Sequence, residues 1–238
     1  MNGGTYQQQI VANGFTVIED VFTDKEVDSL IALIQQADSS NATFRKTKDL
    51  FAIRQFLKEV PVAVPAIFTS AFTAKINELF GEGYRVVKSI YFDKPGDSNW
   101  FVSYHQDLTI SVKEKADVPG FGPWTVKQQQ YAVQPPITIL ENNFTIRIHL
   151  DDTDERNGAL RVVPGSHNKG IYRPETIDWS KETEVSCNVR KGGMMIMRPL
   201  LLHASSRTTN NHKRRVVHIE FSNQELPAPL QWSELLHN

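Results

Sequence analysis

Tyr104-His105-Gln106-Asp107 puts an imidazole and a carboxylate two residues apart. On an extended strand, positions i and i+2 point to the same face, so His105 and Asp107 would stand side by side. One more histidine would complete a facial triad of two imidazoles and a carboxylate. Three coordination sites stay open on the other side of such a triad, which suits Fe(II) taking a bidentate 2-oxo acid and O2. The same spacing also occurs as a plain ion pair on a strand surface, so the pair alone decides nothing.

Six other histidines compete for the third place. His237 lies in the terminal tail and His212 in the polar run TTNNHKRR, where solvated side chains are expected. His167 belongs to the turn PGSHNKG, while His149 and His218 sit inside strand-like segments and read as core histidines. His203 ends the apolar segment MRPLLLHASS, immediately before a polar loop. That is where a rigid element delivers a side chain into a mouth. Ser205 and Arg214 follow it. A buried arginine can grip a carboxylate through two parallel hydrogen bonds, and a serine hydroxyl can donate to the same group. Together they fit the distal carboxylate of a 2-oxo dicarboxylate. Arg215 is a rival anchor, because its face of the strand (Val217, Ile219, Phe221) is the more apolar one.

The ordered set HQD, LDDTDERNGALRVVPGSH and LLHASS followed by Arg214 resembles the phytanoyl-CoA dioxygenase (PhyH-like) family of Fe(II)/2-oxoglutarate oxygenases. The match runs from about residue 84 to 222 and is weaker before that. The resemblance implies a double-stranded β-helix, the jelly-roll barrel of cupin-like proteins. It implies His105, Asp107 and His203 as iron ligands, Arg214 as the 2-oxoglutarate anchor with Ser205 assisting, and Arg147 beside the cosubstrate. It also implies O2-dependent decarboxylation of 2-oxoglutarate to succinate and CO2, coupled to hydroxylation or desaturation of a small molecule. A barrel that binds small molecules without turnover is the alternative, and the complete ligand and anchor set argues against it.

The elements that must position these residues are short. Segments 84–92, 101–112, 137–151, 159–163, 184–189, 194–197 and 214–222 are rich in β-branched and aromatic residues and are separated by turn formers, as in a barrel. Before them, residues 14–21 alternate like a strand. Thr23 to about Ala37 reads as an amphipathic helix opened by a Thr23/Glu26 capping box, and 51–58 and 66–80 as two further helices. The expected organisation is one domain over 1–238: a helical part to 83, a β-helix core to 222 and a short tail. On the strand 144–151, Thr145, Arg147 and His149 share a face and point to a pocket lining. The connection Lys113–Pro136 has the length and aromatic content of a lid. Trp124 and Tyr131, and Asn99-Trp100 upstream, are candidate pocket residues.

Composition narrows the partners. With 40% hydrophobic and 22% charged residues the chain can build a core. A net charge of -1 gives no case for nucleic acid or an anionic membrane, and no basic cluster demands a coenzyme A thioester as substrate. The single Cys187 excludes an internal disulfide. The polar N-terminus lacks the apolar core of a secretory signal, so a cytoplasmic location is expected. Neither the oligomeric state nor the substrate is written in the sequence.

Overall fold

The chain enters through a helix that its sequence marks only at the ends. Thr5 accepts from the Gln8 amide and the Gln8 side chain returns to the Thr5 N–H, while Gly14 closes α1 (Tyr6–Asn13) in the left-handed region at φ 82°. Strand β1 (Phe15–Ile18) and helix α2 (Asp24–Gln35) follow, the latter with its Thr23/Glu26 capping box formed. A computed structural model describes residues 5–37, 41, 43–47, 51–97, 100–127 and 130–237.

The helix expected over 51–58 is corrected. Its first half is strand β3 (Phe51–Arg54), laid between β2 (Phe44–Lys46) and β4 (Arg85–Lys94), and only α3 (Phe56–Glu59) is helical. A short apolar run has no period of its own to choose by; pairing with β4 decides it. The helix expected over 66–80 is two, α4 (Val64–Ile67) and α5 (Ser70–Phe80), because Thr69 is extended and caps α5 by accepting from the Phe72 N–H at 3.2 Å.

The strand expected over 101–112 breaks into β5 (Val102–His105) and β6 (Ile110–Val112). Within the supposed lid, β7 (Trp124–Lys127) and β8 (Gln130–Val133) form a hairpin that joins β6 in a three-stranded sheet. Residues 137–151 open as α6 (Ile137–Asn142) before becoming β9 (Phe144–His149). The later strands come where expected: β10 (Leu160–Val162), β11 (Val185–Cys187), β12 (Met194–Met197), β13 (His203–Ser205) and β14 (Arg214–Ser222). A last pair, β15 (Leu236–His237), adds to β4.

Two antiparallel sheets make the double-stranded β-helix. The larger runs β1-β12-β9-β14-β4-β3-β2 and the smaller β11-β10-β13-β5. One face of the larger sheet is covered by the N-terminal helices: Phe144, Ile146, Ile148, Val217, Ile219 and Phe221 share a core with helix residues such as Leu30, Phe72 and Ile76. Phe144 stacks between Phe80 (centroids 3.6 Å) and Phe221 (4.8 Å). By strand alternation this leaves Thr145, Arg147 and His149 of β9, and Arg214, Val216, His218 and Glu220 of β14, on the opposite face, toward the smaller sheet. Among the described residues no helix is long and apolar enough to cross a membrane.

Candidate active site

Between the sheets lies a cavity of about 280 Å³, lined among others by His105, Asp107, Arg147, His203, Ser205 and Arg214. His105 ends β5 and His203 opens β13; the two are paired across the ladder, with rings 4.2 Å apart. Asp107 lies beyond the end of β5, so strand alternation alone does not place it. Its N–H is instead tied to the Pro199 carbonyl at 2.9 Å. Gln106 faces away and locks this corner. Its amide donates to the carbonyls of Gly170 and Leu200 (2.9 and 2.6 Å) and accepts from the Tyr172 N–H (2.9 Å).

His105 Nε2 is 3.9 Å from one Asp107 oxygen and His203 Nε2 is 3.9 Å from the other. The three side chains offer ligand atoms all within 4.8 Å of one another. They are too far apart to bond each other and near enough to share one ion. Each ring has its Nδ1 2.9 Å from a backbone carbonyl, of Ser103 for His105 and of Leu201 for His203. A carbonyl only accepts, so Nδ1 carries the proton and Nε2 turns its lone pair inward. Burial holds the His203 pKa down at about 4 against the pull of Asp107. Burial would raise Asp107, but His203, protonated in the acid range where Asp107 titrates, and Lys88 outweigh it and hold it at about 2. Two imidazoles and an ionised carboxylate are a donor set that fits Fe(II).

Beside the triad are two buried guanidiniums. Arg214 is 3% exposed and donates through Nη1 to the Gly158 carbonyl; its Nε has no hydrogen-bond partner among the described residues. Arg147 donates to His218 Nδ1 at 3.1 Å, and its Nε is likewise unpartnered. Beyond it, His218 Nε2 meets Glu220 at 3.1 Å and Glu220 pairs with Lys88 at 2.6 Å. Burial lowers the Arg214 pKa to about 9, with repulsion from Arg147 adding to it, and burial brings Arg147 to about 10. Both stay cationic at neutral pH. Buried charges of one sign with unused donors are stable only with an anion to receive them, so this end of the cavity fits the carboxylate of a 2-oxo acid. Ser205, 2% exposed, lines the same end.

Gly158 is fixed by this packing. It sits at φ 88°, and a Cβ there would come within 2.7 Å of the Ser206 carbonyl and 2.9 Å of Lys94 Nζ. Lys94 is itself fully buried, donates to that carbonyl at 2.7 Å, and is lowered to about 8 by burial and by Arg214.

Arg215 points the other way. It forms a two-pronged bond to Asp151, Nε at 2.8 Å and Nη2 at 2.6 Å. Of the two adjacent arginines, Arg214 is the one that faces the cavity.

Two expected pocket residues are not part of this lining. Trp124 on β7 packs with the cluster containing Ile110, Val112, Val133 and Trp232. Thr145 shares the inner face of β9 with Arg147 but is fully buried opposite Glu220. Tyr131 and the hairpin wall a neighbouring cavity of about 500 Å³, which shares Arg54, Lys88 and Ile90 with the metal cavity. Trp100 does line the metal cavity; Asn99 lies outside the described residues. Arg45, Arg54, Lys88, Phe92 and His218 also line it and were not singled out by sequence. Lys88, Ile90 and Phe92 alternate along β4, a signal that was available. Arg54 is hidden by the helix expected over 51–58, and Arg45 comes beside it only when β2 pairs with β3.

The phytanoyl-CoA dioxygenase (PhyH) family model matches residues 10–216. The chain belongs to this family. Among curated relatives of the PhyH chain, it is 25% identical over 187 residues to a probable alpha-ketoglutarate-dependent hypophosphite dioxygenase of Stutzerimonas stutzeri, covering 72% of this chain and 56% of that one. It is 30% identical over 103 residues to phytanoyl-CoA dioxygenase domain-containing protein 1 of Danio rerio, covering 36% and 35%. The PhyH chain thus spans about half, or less, of the length of these relatives. Solved structures share its fold. EctD from S. alaskensis with 2-oxoglutarate and 5-hydroxyectoine superposes at TM-score 0.69 with 17% identity, covering 91% of this chain and 74% of that one. HygX from Streptomyces hygroscopicus with nickel, 2-oxoglutarate and hygromycin B gives 0.64 and 16%, covering 91% and 86%.

Proposed function

We propose that this PhyH chain is an Fe(II)- and 2-oxoglutarate-dependent dioxygenase that hydroxylates a small molecule and releases succinate and CO2. One observation carries the reading. A two-histidine, one-carboxylate cluster and two buried guanidiniums with unpartnered N–H groups line a single cavity. His105, Asp107 and His203 would hold the iron; Arg214, with Ser205 and Arg147, would hold 2-oxoglutarate. Bound iron, with 2-oxoglutarate and O2, supplies the oxidising power for C–H cleavage.

The chain's own residues do the rest. The Ser103 and Leu201 carbonyls keep both imidazole rings in one tautomer. Arg214 orients the far carboxylate of the cosubstrate and so fixes which end reaches the triad. We read residues 1–238 as one oxygenase domain whose N-terminal helices cover the larger sheet.

Incubated with Fe(II), 2-oxoglutarate and air, the protein is expected to form succinate even without added substrate, slowly, and to stop when iron or O2 is left out. Folded, iron-loaded protein that forms none would contradict the proposal.

A further inference from the structure

The triad and the cosubstrate arginines account for only part of the charge in the cavity. Its other end is formed by β2, β3 and β4, which contribute Arg45, Ala52, Arg54, Lys88, Ile90 and Phe92. Alternation along β3 turns Ala52 and Arg54 to this side while Ile53 goes to the core. Lys88 is matched by Glu220 at 2.6 Å. Arg45 and Arg54 have no such match: among the described residues neither forms an ion pair. The charge that acts on Arg54 is that of Arg45, which repels it. Two guanidiniums lie close together at a cavity mouth, Arg45 exposed and Arg54 half-buried, and the one carboxylate among the described lining residues, Asp107, is committed to the metal cluster, so the field there favours an anion. Phe92, Ile90 and Trp100 add an apolar wall beside them.

We propose that the substrate carries an anionic head, carboxylate or phosphoryl, on a compact apolar body, and that Arg45 and Arg54 receive that head. The inference rests on the oxygenase reading of the same cavity. The head is held at β2 and β3, and the body extends along Phe92 and Trp100 toward the triad, so the C–H bond attacked belongs to the body. The arginine fork matches either kind of anion. Because 2-oxoglutarate shares the cavity, the room that is left suits a small molecule.

The test is calorimetric binding to anaerobic, Fe(II)-loaded protein, with and without saturating 2-oxoglutarate. Hexanoate and hexylphosphonate are compared with hexylamine and hexan-1-ol. With 2-oxoglutarate present, at least one of the two anions should bind at least tenfold more tightly than the amine and the alcohol; the better of the two names the head. An Arg45→Glu/Arg54→Glu variant should lose that anion at least tenfold and gain affinity for hexylamine, an inversion that misfolding does not produce. Equal binding of all four probes, or selectivity unchanged in the variant, would overturn the inference. If 2-oxoglutarate itself fails to bind while the anion selectivity still inverts, the oxygenase reading falls and the anion site stands.

Discussion

Asp107→Ala is expected to abolish 2-oxoglutarate turnover and to leave the protein folded. Asp107 bridges the two imidazoles, 3.9 Å from each, and supplies the one negative charge in the triad. Without it, two imidazoles face Lys88 and Arg147 with nothing to offset a dipositive ion. Residues that only support metal ligands typically carry 10–100-fold of affinity or activity, so losing a ligand should exceed roughly 100-fold in succinate release. Asp107 is partly exposed and takes no part in the apolar clusters, so the variant should keep a cooperative melt. Iron content after loading, read beside that melt, checks the point. A folded variant that keeps wild-type iron and turnover would remove Asp107 from the site.

The second expected result separates two neighbours. Arg214→Gln should raise the KM for 2-oxoglutarate by at least about 30-fold, since truncating one partner of a buried charged pair costs about 2–5 kcal/mol. Arg215→Gln should leave that KM near its wild-type value and lower stability instead. It breaks a two-pronged bond to Asp151, and hydrogen bonds to charged groups contribute about 1.5–3 kcal/mol each. KM for 2-oxoglutarate and the urea midpoint, measured on both variants, give opposite patterns. The reverse pattern would make Arg215 the anchor.

Why the sequence left this pair ambiguous is a matter of parity. Along β14 the face carrying Arg215 is the more apolar, and in an isolated strand that would place Arg215 toward the barrel interior. The ambiguity disappears once α2 and α5 cover the larger sheet from outside. The apolar face is then a core between sheet and helices, and the polar face of Arg214, His218 and Glu220 lines the interior. Thr145, Arg147 and His149 turn away from those helices and are buried on the face toward the smaller sheet.

Ligand types and their order along the chain were readable because they are local. The corner that delivers Asp107 was not, since it depends on an N–H bond to Pro199 and on Gln106 clamping Gly170 and Leu200. Phe51-Ala52-Ile53-Arg54 was misread for a related reason. Four residues hold barely one helical turn and only two strand repeats, so a long-range ladder to β4 outweighs local preference. The same segment conceals Arg54 of the basic cavity mouth, which Arg45 joins only after β2, β3 and β4 pair. The length and aromatic content of 113–136 suggest a lid, but its β7–β8 hairpin pairs with β6 and packs a half-buried Trp124 against an apolar cluster.

The central claim is that one cavity holds Fe(II) through His105, Asp107 and His203 and 2-oxoglutarate through Arg214. The most direct measurement is the visible absorption of anaerobic protein as 2-oxoglutarate is added to the Fe(II)-loaded form. A weak charge-transfer band from the chelated 2-oxo acid should rise to saturation at one equivalent of iron-loaded sites, and should be absent in His203→Ala. A correctly folded protein that binds iron and shows no band at saturating 2-oxoglutarate, or a His203→Ala variant with the band unchanged, would contradict it.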